Sequence, residues 1–158
     1  MQKVHPFLWF DSQAEEAASL YTSLFPDGRV IEVNRYGPGA PMPEGSVMSV
    51  TFEIGGVEFM ALNAGPVFKL NEAFSIYVHC QDQAEVDYYW DLLLAGGGEP
   101  SQCGWLKDRF GLSWQIVPEA LGRMLGDSDR DKAGRVMQAM LQMSKIDVAG
   151  LERARDAA

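Results

Sequence analysis

The chain has 158 residues, the length of one domain or of two small modules sharing a core, and at 47% apolar and 11% aromatic it has the composition of a packed globular protein. A net charge of -9 without any Lys/Arg cluster excludes binding to a phosphate backbone, so no nucleic-acid partner is expected. No long apolar run and no basic segment leading into an apolar stretch is present, which predicts neither a membrane span nor a secretory signal. Two cysteines, Cys80 and Cys103, are too few for a disulfide framework, and as free thiols they point to the cytoplasm.

In chain order, strand signals fall at residues 4–10, 29–36, 46–54, 57–62, 74–80, 103–107 and 112–117, and helix signals at 13–25 and 83–95. In the first helix Ala14, Ala17, Ala18, Tyr21, Leu24 and Phe25 make one apolar stripe. Val86, Tyr89, Trp90, Leu93 and Leu94 do the same in the second. Gly55-Gly56 and Arg109-Phe110-Gly111 read as hairpin turns, and GPGAPMPEG (37–45) as a loop. Beyond Pro118 come a short helix over 118–125, a Met-rich helix over 131–143 and a last helix capped by Asp147 and ending near Asp156.

The chain repeats itself. An offset of 70 carries Ser12 onto Asp82, Glu15 onto Glu85, Leu24 onto Leu94 and Gly28 onto Gly98, which predicts a capping box at both helix starts. An offset of 55 places Gly56 on Gly111 and VEFMALN (57–63) on LSWQIVP (112–118). Each copy therefore runs strand, helix, then up to three antiparallel strands. The predicted fold is α+β, with two tandem βαβββ modules at 1–66 and 67–120 and a helical tail at 121–158, together one structural domain.

The segments PFLWFD (6–11), EEAASLYTSLFPDG (15–28), DQAEVDYYWDLL (82–93), GWLKDRFGLSWQIVP (104–118) and SKIDVAGLERA (144–154) resemble the PhnB-like branch of the glyoxalase/bleomycin-resistance/dioxygenase fold, the vicinal oxygen chelate superfamily. The resemblance implies a cupped sheet from each module around a pocket. In catalytic relatives a divalent metal is held there by His, Glu or Gln from the first and last strand of each module. Carried through both offsets, those places are His5, Met60, Ser75 and Gln115. Gln115 stands where metal-dependent relatives carry Glu. One imidazole, an amide, a hydroxyl and a thioether make a poor set for a divalent cation, so no metal ligand and no cofactor is expected, a weakly held divalent ion at most.

His5 is the candidate general base, with a surface histidine at a strand end as the plain alternative. Gln115, Ser75, Met60, Asn63, Trp9, Tyr77 and Trp105 are candidate ligand contacts, with plain core as the alternative; Phe59 and Trp114 are weighed with them. His79 is read as solvent-facing or packed near the helix, Cys103 as inert, and Lys107 and Asp108 as solvated turn charges. The expected function is binding of a small organic molecule without a tightly bound metal. The alternative is an enzyme with isomerase or lyase chemistry, or the methyltransferase activity by which some relatives are labelled, using His5 and Gln115. The Gly96-Gly97-Gly98 run follows a helix and reads as its stop, not as a nucleotide-binding turn. The resemblance also implies a homodimer, with Met137, Met140 and Met143 of the tail available to cover the joint.

Overall fold

A computed structural model describes residues 1–157. The elements run β1 (Phe7–Phe10), α1 (Ala14–Leu24), β2 (Arg29–Arg35), β3 (Val47–Ile54), β4 (Val57–Asn63), β5 (Ser75–Cys80), α2 (Gln83–Leu94), β6 (Glu99–Pro100), β7 (Trp105–Lys107), β8 (Ser113–Pro118), α3 (Glu119–Leu125), α4 (Arg130–Met140) and α5 (Val148–Asp156). The chain divides into a first compact unit through Leu70 and a second from Asn71 onward, which includes the helices after Pro118. Each unit holds a four-stranded mixed sheet, ordered β1-β4-β3-β2 in the first and β5-β8-β7-β6 in the second.

The ladders obey both offsets of the repeat. Phe7 lies against Met60 in the parallel β1–β4 pair, as Tyr77 lies against Gln115 in the parallel β5–β8 pair. In the first unit α1 packs on β3, with Ala17, Ala18, Tyr21 and Leu24 buried on the helix and Val50, Phe52 and Ile54 buried on the strand. Fully burying a side chain such as Phe52 contributes ~2–3 kcal/mol. In the second unit α2 covers β8, β7 and β5 with Val86, Tyr89, Trp90 and Leu93. The tail has its own small core of Leu121, Met124, Val136, Ile146 and Leu151. Met140 and Met143 pack against that core, while Met137 is exposed.

Several local expectations are corrected. The first strand begins at Phe7, not at residue 4. Pro6 brings no N–H, and the Gln2 side chain takes both backbone groups of Glu58, donating to its carbonyl at 2.9 Å and accepting from its N–H at 3.0 Å. Ser12 does not cap α1. Gln13 is the N-cap residue, and the Ala14 N–H donates instead to Asn63 Oδ1 at the end of β4. Asp82 does cap α2, accepting from Glu85 N, but Glu85 reaches back to Gln81 N. The strand predicted from Cys103 begins at Trp105, because Cys103 (φ 58°) and Gly104 (φ 84°) form a left-handed turn. Their N–H groups donate to Met143 and Ser144, which fastens the tail to the sheet. Asp147 stands at the start of α5 without a side-chain cap bond. The two-residue strand β6 had no sequence signal.

Candidate functional site

Alternation along the strands sorts the candidates onto two faces of each sheet. In the first unit Leu8, Phe10, Phe59, Ala61 and Asn63 are buried on the α1 side. Phe7, Trp9, Glu58, Met60 and Leu62 alternate with them and face away from α1. In the second unit Val78, Cys80, Leu106, Trp114 and Ile116 are buried beneath α2. Ser75, Tyr77, His79, Trp105, Lys107, Ser113 and Gln115 occupy the other face. Met60, Trp9, Ser75, Tyr77, Trp105 and Gln115 thus lie on the sheet faces opposite the helices, whereas Asn63, Phe59 and Trp114 do not.

His5 lies just before β1. Its Nε2 is 3.0 Å from Glu58 Oε2, with side-chain exposures of 21% and 30%. An ionised Glu58 accepts from Nε2–H, which leaves Nδ1 as the free lone pair. Glu58 is not among the positions that the repeat maps, although the strand period carries a signal for it. With Phe7 against Met60, the residue two before Met60 falls beside the residue two before Phe7. Trp9 is occupied by its own unit: its Nε1 donates to Gly65 O at 2.9 Å and its ring meets Phe68 edge-on at 5.0 Å. Asn63 lines a cavity of about 300 Å³ with Asp11, Glu15, Tyr36 and Met42. Its amide is committed, however, to Ala14 N and Val47 O, and its carbonyl accepts from the Tyr36 hydroxyl.

In the second unit Gln115 Nε2 donates to Ser75 Oγ at 2.9 Å. Gln115 is half-buried and stands in register between Tyr77 on β5 and Trp105 on β7. The three side chains make a phenol–amide–indole row across the sheet. Partial burial holds the Tyr77 phenol above its ordinary pKa, so it is a neutral hydrogen-bonding group near neutral pH. His79 is exposed, its ring 4.7 Å from that of Tyr77. Cys80 and Cys103 are free. Burial pushes the Cys80 thiol up to about 12, which keeps it un-ionised.

The two turn charges are not simply solvated. Asp108 is 3% exposed and accepts from Phe110 N, Leu112 N and Trp114 Nε1, because the tight turn aims its carboxylate inward. Lys107 is ion-paired to Glu72 at 2.5 Å.

Among the described residues, no group of three or more His, Cys, Asp and Glu side chains is gathered as a metal site requires. A tightly held divalent ion takes three or four such ligands. His5 with Glu58 supplies two, and Ser75 with Gln115 supplies a neutral pair already bonded to each other. The residues present do not fit a divalent centre of the kind the superfamily implies.

A family model described as 3-demethylubiquinone-9 3-methyltransferase matches residues 2–117, ending before α3. Among solved structures, a putative 3-demethylubiquinone-9 3-methyltransferase, PhnB protein, from Bacillus cereus is 34% identical, covering 74% of this chain and 99% of that one with a TM-score of 0.68. Protein PA1353 from Pseudomonas aeruginosa is 22% identical (75% and 98% covered, TM-score 0.62). The fosfomycin resistance protein FosX from Listeria monocytogenes is 16% identical (75% and 93% covered, TM-score 0.50). The last two show the fold alone. No curated protein matches the chain. No helix among the described residues is long and apolar enough to cross a membrane.

Proposed function

Since the chain belongs to the PhnB-like family of vicinal oxygen chelate proteins, the family whose model is described as 3-demethylubiquinone-9 3-methyltransferase, we propose that it binds a small organic molecule without a tightly held metal. The observation that carries this reading is the Tyr77–Gln115–Trp105 row. Two aromatic side chains flank one half-buried amide whose nitrogen is held by Ser75, leaving the carbonyl oxygen to orient a ligand. The poor donor set at the mapped metal positions supports the second half of the reading. Native mass spectrometry of protein purified without chelator tests both halves. The expected result is an organic adduct without metal; a bare chain counts against the binding half, and stoichiometric Zn, Ni, Mn or Fe sinks the metal-free half. The site residues are tested by Gln115→Ala, which should weaken whatever adduct is found.

The methyl-transfer label finds no support in the topology. A methyl donor of the nucleoside type is normally bound at a Gly-rich turn after a strand of a doubly wound parallel sheet. Both sheets here are mixed, and Gly96 and Gly97 end α2 in left-handed conformations (φ 80° and 123°).

One observation favours a second, enzymatic reading. Glu58 fixes the His5 imidazole from one side, an arrangement suited to a general base acting through Nδ1 in isomerase or lyase chemistry. Under that reading His5→Ala abolishes turnover and leaves the fold intact; retained turnover overturns it. For assembly, a homodimer is supported by β2, an edge strand that exposes Val30, Ile31 and Val33. Light scattering on a sizing column reads this directly, and a clean monomer refutes it. Two free thiols support a cytoplasmic setting.

A further inference from the structure

Ser113 is the buried polar group that the reading above leaves unexplained. The residue is 1% exposed, and its Oγ has no hydrogen-bond partner among the described residues. An orphaned buried hydroxyl costs about 1–3 kcal/mol, so its persistence calls for a use. Ser113 lines a recess of about 140 Å³ on the face of β6, β7 and β8 opposite α2, together with Glu72, Glu99, Ser101, Trp105 and Lys107. In register, Ser113 stands directly beside Lys107, and Lys107 beside Glu99.

We propose that this recess takes the carboxylate of a small monocarboxylic acid, one oxygen on the Lys107 ammonium and the other accepting from the Ser113 hydroxyl. Five observations lead there. Lys107 already holds a carboxylate, that of Glu72, at 2.5 Å, which shows where such a group sits. Glu72 is 65% exposed on its side chain, and an ion pair of that exposure is worth only a few tenths of a kcal/mol to about 1, so a ligand can exchange with it. Lys107 and Ser113 are directly opposed cross-strand neighbours on one sheet face, their Cβ atoms ~5 Å apart, so both side chains can reach a single carboxylate. The volume admits only a few non-hydrogen atoms, with the Trp105 indole available to an apolar remainder. Glu99 faces the same lysine and repels a second negative charge, so a monoanion is selected over a dianion. Glu72 is then the chain's own occupant of the anion position, displaced on binding. The proposal rests on the small-molecule reading of the same sheet face and supplies its substrate class.

The test is a titration of isotope-labelled protein with sodium acetate, at constant ionic strength set with chloride, followed through the Lys107 side-chain and Ser113 amide signals. Saturable shifts at both are expected, with malonate weaker and with acetamide and methylammonium silent. Glu72→Gln should tighten acetate about two- to fivefold, since it removes the internal competitor. Lys107→Met should weaken it at least about tenfold, and Ser113→Ala by a smaller factor. Glu72→Gln lies at an exposed side chain, so its gain in affinity is readable even if the other variants fold poorly. No tightening in Glu72→Gln, equal binding of methylammonium, or an absence of shifts at Lys107 and Ser113 overturns the proposal. Acetate shifts confined to the Gln115 side-chain amide also overturn it, while leaving the Gln115 reading in place.

Discussion

In the first module the β3–β4 turn is held from outside. Asp27, exposed, accepts from Gly55 N at 3.0 Å and Gly56 N at 2.6 Å. In the second module the β7–β8 turn is held from inside, by Asp108 with its three accepted bonds beneath the sheet. The helix starts differ in the opposite sense. The first is capped by a buried side chain from a distant strand, Asn63, and the second by its own exposed Asp82. One topology and one ladder register are thus supported by different residues at different depths. A repeated fold dictates which backbone groups need partners; it does not dictate where those partners come from.

The largest expected effect breaks the second module alone. Asp108→Ala strands three donors beneath the sheet and should cost ~3–5 kcal/mol in urea unfolding, a loss much smaller than that placing the carboxylate outside the packing. Next come the matched glycines. A Cβ on Gly28 would stand 2.0 Å from Thr22 O, and one on Gly98 would stand 2.7 Å from Leu94 Cα and 2.9 Å from Lys107 O. Each Gly→Ala change should destabilise by ~1–3 kcal/mol, with Gly28 the more sensitive. If only one of them responds, the two helix ends are not equivalent. The caps separate more finely. Asn63→Ala should cost ~2 kcal/mol and Asp82→Ala ~1 kcal/mol, because the Ala14 N–H is buried and has no water to turn to.

The smallest effect is one of pH. The N–H groups of Gly55 and Gly56 hold the Asp27 carboxyl below its usual value. Its contribution is therefore present above the ordinary carboxylate pKa, about 4, and is lost as pH falls through the lowered folded value. The stability gap between wild type and Asp27→Asn should close below about pH 4; a gap that stays constant with pH would mean Asp27 does not hold the turn as an anion.

Much of the fold was legible because its signals are local. The helix stripes at 14–25 and 86–94 depend on spacing within a few turns, and the two offsets rest on strand alternation. Ser12 does not cap α1 because the better acceptor, Asn63, lies 49 residues beyond the Ala14 N–H that it caps. The candidate site was legible in part for the same reason. Ser75 and Gln115 fell out of the repeat as a pair and are hydrogen-bonded to each other. Glu58 is not reached by the repeat, because the offset matches Met60 and not its same-face neighbour two residues earlier. Lys107 and Asp108 look alike as adjacent charges before a turn, yet Lys107 ends β7 and pairs at the surface while the turn that follows folds the Asp108 carboxylate inward.

The sequence by itself determined the order of every element but the two-residue β6, the duplication and the sheet parity, since all are written in short-range periodicity. Tertiary structure alone decided that Asn63 caps α1, that the tail fastens to Cys103 and Gly104, and that the Ser113 hydroxyl is enclosed without a partner among the described residues. Each of these depends on which groups share a small volume after the sheets have formed, and no spacing along the chain encodes that.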